Sequence, residues 1–299
     1  MNKKFLYILL ILGLMGLTVA CSTNATNPTP STDVSAETLA KITAYGTSKG
    51  LAFTKNTDGV FYVVSTTNPT GRVPVANEYV KVHYTYTKLD GTLLDSTAVN
   101  LKVPLAYPYL AYNTLLNYAV TQLKEGETGT FVFPQTTNLT EPTALKATLI
   151  STRNETEQVN EYVAEKYAGL TPKKTASGIQ YFITKSSSTG DSVKLARSAV
   201  VNYTGKFLFK NRSRDSNGFY LFTDQFDAGS FTFALGQSAV VAGFEEASKL
   251  LKVGDKGIFI FPSLLGYGAK GSLNSTTGVY TINPYTPLLF EIEVTGVVK

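Results

Sequence analysis

The sequence predicts an α+β protein, an antiparallel sheet wrapped on one short helix, built twice in tandem. Three observations predict it. The closing segment alternates strictly, with Leu288, Phe290, Ile292 and Val294 on one side and Glu291, Glu293 and Thr295 on the other, the period of a strand with one wet face. The segment GFEEASKLLKVGDK sets Phe244, Ala247, Leu250 and Leu251 as an apolar stripe at helical spacing, closed by Gly254. One helix on the dry face of an antiparallel sheet is an α+β arrangement. Finally, the chain repeats itself at an offset of 119 residues: KGLAFTKNTDGVFYVV matches AGLTPKKTASGIQYFI through Gly50 and Gly169, Gly59 and Gly178, and Tyr62 and Tyr181. The same offset takes Tyr84 to Tyr203.

The 299 residues leave room for two ordinary domains, and 43% hydrophobic with 16% charged residues describes a core-forming chain. The formal charge of +5 includes Lys3 and Lys4; without the first twenty residues it falls to +3, too weak for a nucleic-acid partner. Lys210, Arg212 and Arg214 stand in a polar stretch beside Asp215 and read as solvated surface. With one histidine, His83, and one cysteine, Cys21, a transition-metal site lacks ligands, and an intrachain disulfide is impossible. His83 sits in an alternating strand and reads as an ordinary strand residue.

In chain order, residues 1–20 have a charged start, an apolar run from Phe5 to Leu17 and a small-residue end, the layout of a secretory signal peptide. The run is shorter than the roughly 20 apolar residues of a spanning helix. LTVAC resembles the lipobox of bacterial lipoproteins, with Thr18 where leucine is usual, so Cys21 is expected to be a lipid anchor to a bilayer. Ser22 in place of aspartate favours the outer membrane, facing the periplasm, over the inner membrane. Residues 21–34, with STNATNPTPST, have too little apolar surface for a core and read as a tether.

The two copies then occupy 35–153 and 154–299. The second opens with a helix whose Val159, Tyr162, Val163 and Tyr167 share a face, with Asn154 and Glu157 as a capping pair and Gly169 as its end. A strand from Ile179 to Thr184, a polar turn, the strand through Tyr203 and a QFDAGS turn follow.

The order of motifs VVNYTG, FDAGS, FTFALG, VVAGFEEAS, KVGDK, FPSLLGYG and INPYTPLLFEIEV resembles an FKBP-type peptidyl-prolyl cis/trans isomerase domain over about residues 178–299. The resemblance implies two tandem FKBP-like domains. It assigns the pocket to Tyr203, Phe226, Asp227 and Phe231 from the first strands, Val240, Val241 and Phe244 from the helix entry, and Tyr267, Ile282 and Phe290 from the flap and last strand. Phe244 would be the floor, with Tyr203, Phe231 and Phe290 as walls. The Tyr267 hydroxyl and Val241 N–H would hold peptide carbonyls, and Asp227 would fix the polar edge. No cofactor is implied. Phe244 stands where most members have tryptophan, Phe261 replaces a smaller aliphatic residue, Gly266 replaces alanine and Asn283 replaces a proline. The segments Phe207 to Asp224 and Ala269 to Tyr280 are longer than usual.

The first copy keeps Tyr84, LDGTLLDS with Leu94 and Asp95, a KEGE turn from Lys124 to Glu127 and the strand TFVFP. Leu116 or a neighbour takes the floor position, and no counterpart of Tyr267 or Ile282 follows, so this copy reads as degenerate. The resemblance therefore implies an isomerase assisting the folding of exported, proline-containing clients. A non-catalytic chaperone or peptide-binding subunit of an envelope complex is the alternative.

Overall fold

A computed structural model describes residues 34–110, 114–135, 139–195, 197–214 and 220–298, which form two compact units dividing between Asn154 and Glu155. The signal-like segment and Cys21 lie outside the described residues. The first unit comprises α1 (Ala36–Lys49), β1 (Thr54–Lys55), β2 (Phe61–Thr66), β3 (Tyr79–Lys88), β4 (Leu93–Ser96), β5 (Leu105–Pro108), α2 (Leu115–Thr121), β6 (Thr128–Phe133) and β7 (Thr143–Arg153). The second comprises α3 (Glu155–Lys166), β8 (Lys173–Lys174), β9 (Gln180–Lys185), β10 (Ser198–Arg214), β11 (Tyr220–Ala234), α4 (Ala242–Lys249), β12 (Lys256–Phe261), β13 (Ser272–Leu273), β14 (Tyr280–Ile282) and β15 (Leu288–Val298).

The fold is α+β, with antiparallel pairing throughout the described strands. Strand order in the first unit is β1-β2-β6-β7-β3-β4, and in the second β8-β9-β12-β15-β10-β11. These are the same path, strand for strand, so the repeat read in the sequence is a repeat of topology. Local hydrogen bonds repeat too. Asp255 accepts from the Lys252 N–H at 2.8 Å, and Glu127 accepts from the Lys124 N–H at 2.8 Å. Each turn glycine then donates to the last strand, Gly254 to Val294 at 2.8 Å and Gly126 to Leu149 at 2.7 Å. Gly254 and Gly126 both have positive φ, 91° and 86°, which a side chain at either position would strain.

In the second unit, residues alternating along β10 and β15 put Val201, Tyr203, Phe290, Ile292 and Val294 on the face covered by α4. The opposite face is wet only in part. Val159 and Val163 of α3 pack there on Leu208, Ile260 and Leu289, while Glu291 pairs with Lys206 and Glu293 with Lys256. Each sheet thus carries a second helix on its outer side, since Ile42 of α1 packs likewise with Phe61, Val132 and Ala144.

Several local expectations need correction. Helix α4 ends at Lys249, and Leu250 is exposed while Phe244, Ala247 and Leu251 are buried, because a 100° step per residue leaves position 250 off their stripe. Gly254 belongs to the turn into β12 and does not close the helix. QFDAGS lies inside β11 and is not a turn; the long segment after Phe207 is a ribbon made by the ends of β10 and β11, and it carries Lys210 and Arg212. The other long segment folds as the hairpin β13–β14. His83 is half-buried in β3, its Nδ1 2.9 Å from Thr97 Oγ1, and burial holds its pKa below the usual value.

Candidate functional site

The site lies on the α4 side of the second sheet, and strand register builds it. Gly205 of β10 stands opposite both Phe290 of β15 and Asp227 of β11. A methyl group at Gly205 would come within 2.6 Å of Phe226 Cζ and 2.9 Å of Phe290 Cε1. Glycine in mid-strand therefore leaves the space that two phenylalanines fill. Two residues earlier on the strand, Tyr203 projects from the same face and is buried. Its ring meets Phe231 edge-on with centroids 5.3 Å apart, and Phe244 edge-on at 5.6 Å.

Phe244 enters because Val241, in extended conformation (φ −61°, ψ 147°), opens α4 three residues before it. It is 3% exposed and packs edge-on against Phe290 at 5.1 Å and against Phe233 at 5.8 Å. Phe261, at the end of β12, stacks flat on the far side of Phe290 at 5.5 Å. The bulk of Phe261 is accommodated by Gly243, where a Cβ would lie 2.6 Å from its ring. Edge-to-face and offset rings of this kind contribute about 0.5–1.5 kcal/mol per pair beyond their buried area.

These groups line a small, partly open concavity of about 20 Å³: Tyr203, Asp227, Phe231, Val240, Val241, Phe244, Tyr267 and Phe290. Eight of the ten residues anticipated from the sequence thus share one surface. The other two stand behind it. Phe226 packs between Phe207 at 4.9 Å and Phe290 at 5.6 Å, and Ile282, only 2% exposed, lies in the core beneath the flap. Ile282 is therefore placed as support for the site and not as part of its lining.

The polar edge is a single strong bond. The Tyr203 hydroxyl donates to Asp227 Oδ2 at 2.5 Å, and the Ala228 N–H donates to Oδ1 at 2.9 Å, so both carboxylate oxygens are held. Burial, and then the neighbouring Asp227 carboxylate, push the Tyr203 pKa well above the usual phenol range. Burial and the same carboxylate push Tyr267 up to about 12. Both phenols are thus neutral donors at physiological pH. No group of three or more His, Cys, Asp or Glu able to hold a metal occurs among the described residues.

The first unit repeats the polar edge and alters the rest. Tyr84 donates to Asp95 Oδ2 at 2.5 Å, and Ser96 N–H donates to Asp95 Oδ1 at 2.9 Å. The register that pairs Gly205 with Phe290 pairs Tyr86 with Leu145, so a tyrosine occupies the place of the space-making glycine and an aliphatic residue that of the wall. Aligned on the turn and on the buried pairs Ala119 with Ala247 and Leu123 with Leu251, the floor position falls to Leu116. The Tyr86 hydroxyl donates across to Thr143 at 3.2 Å. The substitution of Tyr86 for Gly205 is legible in the sequence, since each follows the shared strand tyrosine by two residues.

Comparison with known proteins bears on the second unit. Residues 188–295 match the family described as FKBP-type peptidyl-prolyl cis-trans isomerase. A probable FKBP-type peptidyl-prolyl cis-trans isomerase of Haemophilus influenzae is 33% identical over 142 residues, covering 47% of this chain and 52% of that protein. FkpA of Aeromonas hydrophila, an FKBP-type peptidyl-prolyl cis-trans isomerase, is 31% identical over 140 residues, 46% of this chain and 45% of that protein. The chain thus spans about half the length of these curated relatives. Among solved structures, FkpA from Escherichia coli is 26% identical with a TM-score of 0.36, covering 48% of this chain and 59% of that one.

Proposed function

We propose that the FKBP-type domain over residues 188–295 is a working peptidyl-prolyl cis/trans isomerase acting on proline-containing polypeptides. One observation carries the reading: an aromatic concavity with a single polar edge, assembled from five separate stretches of chain. Rotation about an Xaa-Pro bond breaks no covalent bond, yet its partial double-bond character imposes a barrier of about 18–20 kcal/mol. Water stabilises the planar, more polar amide over the twisted one. A pyrrolidine ring seated against Phe244, between Tyr203, Phe231 and Phe290, leaves that water behind and lowers the twisted form relative to the planar one.

In this reading, the Tyr267 hydroxyl and the Val241 N–H donate to carbonyl oxygens of the peptide on either side of the proline. Asp227, pinned by Tyr203, sets the polar edge against which the rotating amide is oriented. The chemistry calls for hydrogen-bond donors and exclusion of water, which neutral phenols and phenylalanine rings supply. The first unit, with Tyr86 in place of Gly205 and no flap among its described residues, serves as a spacer or binding surface.

Cys21, outside the described residues, would tether the protein by a lipid to a bacterial membrane, with the outer membrane facing the periplasm as the favoured site. Its clients there would be exported proteins. The test is whether the full chain accelerates the proline-limited phase of refolding of a model protein. Suppressed aggregation with an unchanged slow phase would replace the isomerase reading with a non-catalytic chaperone.

A further inference from the structure

The flap that carries Tyr267 starts from a corner held by a residue far away in sequence. After β12 ends at Phe261, the chain makes a tight turn through Ser263–Leu265 in which Leu265 N–H bonds Pro262 O at 2.9 Å and Gly266 N–H bonds Ser263 O at 2.8 Å. Ser263 is only 5% exposed, so its polar atoms need partners inside the protein. Both are met by Glu155, the first residue of α3. Ser263 N–H donates to Glu155 Oε1, and Ser263 Oγ donates to Glu155 Oε2 at 3.0 Å.

Helix α3 is a firm base for such a contact, because Val159 and Val163 bury their side chains against Ile260 and Leu289 of the same sheet. Two sides of the sheet are thereby joined. The helix on the outer face grips the corner of the segment whose other end, Tyr267, turns into the concavity on the inner face. The first unit offers a natural contrast: Ala36 holds the position equivalent to Glu155, at the start of α1, and that unit has no flap counterpart among its described residues.

We infer that Glu155, which precedes the family-matched residues 188–295, is a positioning residue for the isomerase site, holding the Pro262–Gly266 corner through both polar groups of Ser263 so that Tyr267 is presented to the peptide. The consequence for catalysis rests on the isomerase reading; the clamp itself does not. Burial holds the Glu155 carboxyl above the usual carboxylate range. The neutral acid retains both contacts, with its carbonyl accepting from Ser263 N–H and its hydroxyl donating to Oγ. A glutamine has the same two functions in the same geometry.

The experiment uses the full chain with Glu155→Ala, Glu155→Gln and Ser263→Ala. Two quantities are read: amide hydrogen exchange at Ser263, Leu265 and Gly266 without substrate, and kcat/KM on an Xaa-Pro peptide. For Glu155→Ala, flap exchange should accelerate about tenfold or more while amides of β10 and β15 keep their protection. Its kcat/KM should fall about fivefold to tenfold, since two buried donors lose their acceptor. Glu155→Gln should restore both within about twofold, and Ser263→Ala, which keeps the N–H contact, should fall between. Unchanged flap exchange in Glu155→Ala, or Glu155→Gln as impaired as Glu155→Ala, overturns the inference. Should Glu155→Ala not fold, Ser263→Ala decides by the same exchange readout. An inactive wild-type chain would sink the isomerase reading while leaving the exchange measurement to judge the clamp.

Discussion

Removing the Tyr203 hydroxyl offers a controlled perturbation, because the chain contains its own duplicate of the bond. Tyr203→Phe deletes a 2.5 Å hydrogen bond to Asp227, and Tyr84→Phe deletes a 2.5 Å hydrogen bond to Asp95. A hydrogen bond to a charged partner contributes about 1.5–3 kcal/mol. Asp227 keeps the Ala228 N–H and is half-buried, so water replaces part of what is lost, which favours the lower end of that range. About 1.5 kcal/mol corresponds to a fall of roughly 3–6 °C in the melting of a unit of this size. If the same loss is felt when the amide rotates, kcat/KM drops about tenfold in Tyr203→Phe. Calorimetry should show comparable destabilisation in both variants. A protease-coupled Xaa-Pro assay should show the rate loss only in Tyr203→Phe. Equal rate losses in the two, or an unchanged rate in a Tyr203→Phe protein that has lost stability as expected, would refute the assignment of the polar edge to function.

Two further outcomes follow from the same geometry. Gly205→Ala forces a methyl group onto Phe226 and Phe290, so it should cost about 1–3 kcal/mol by overpacking and abolish most activity; a fully active, stable variant would show that the rings need no such space. The pH profile should be flat through the alkaline range in which free tyrosine titrates. The Tyr203 and Tyr267 pKa values are raised, so the stability their hydroxyls contribute is complete below about pH 10, the unfolded value, and is lost progressively above it as pH rises through the folded value, about 12 for Tyr267. An activity limb centred well below pH 10 in the folded enzyme, abolished in Tyr267→Phe, would contradict that environment.

Much of this site was legible in the sequence because its determinants are local or periodic. Alternation through Phe290 and Ile292 gave the dry face of β15, and the helical step from Phe244 to Ala247 and Leu251 gave the face of α4. Leu250 faces outward because a 100° step per residue carries it off the stripe of Phe244, Ala247 and Leu251, which hydrophobicity alone does not reveal. The coverage of the outer sheet face by α3 was not legible: Val159 and Val163 announce an apolar helix face, but not which strands it meets. The Glu155–Ser263 contact joins the start of α3 to the corner before the flap, and no spacing rule connects them. QFDAGS reads as a turn in isolation because Gly and Asp favour turns, whereas pairing with β10 on both sides of a bulge at Phe226 overrides the preference.

The central claim, that the concavity around Phe244 rotates Xaa-Pro bonds, is tested most directly by exchange spectroscopy on a short Xaa-Pro peptide with catalytic amounts of the full chain. The uncatalysed interconversion takes tens to hundreds of seconds. The account predicts cis–trans exchange cross-peaks on a sub-second timescale with wild-type protein, saturable in peptide, and shifts of protein resonances concentrated at Tyr203, Val241, Phe244, Tyr267 and Phe290. Exchange that stays at the uncatalysed rate, or acceleration whose resonance shifts map to the first unit, would contradict it.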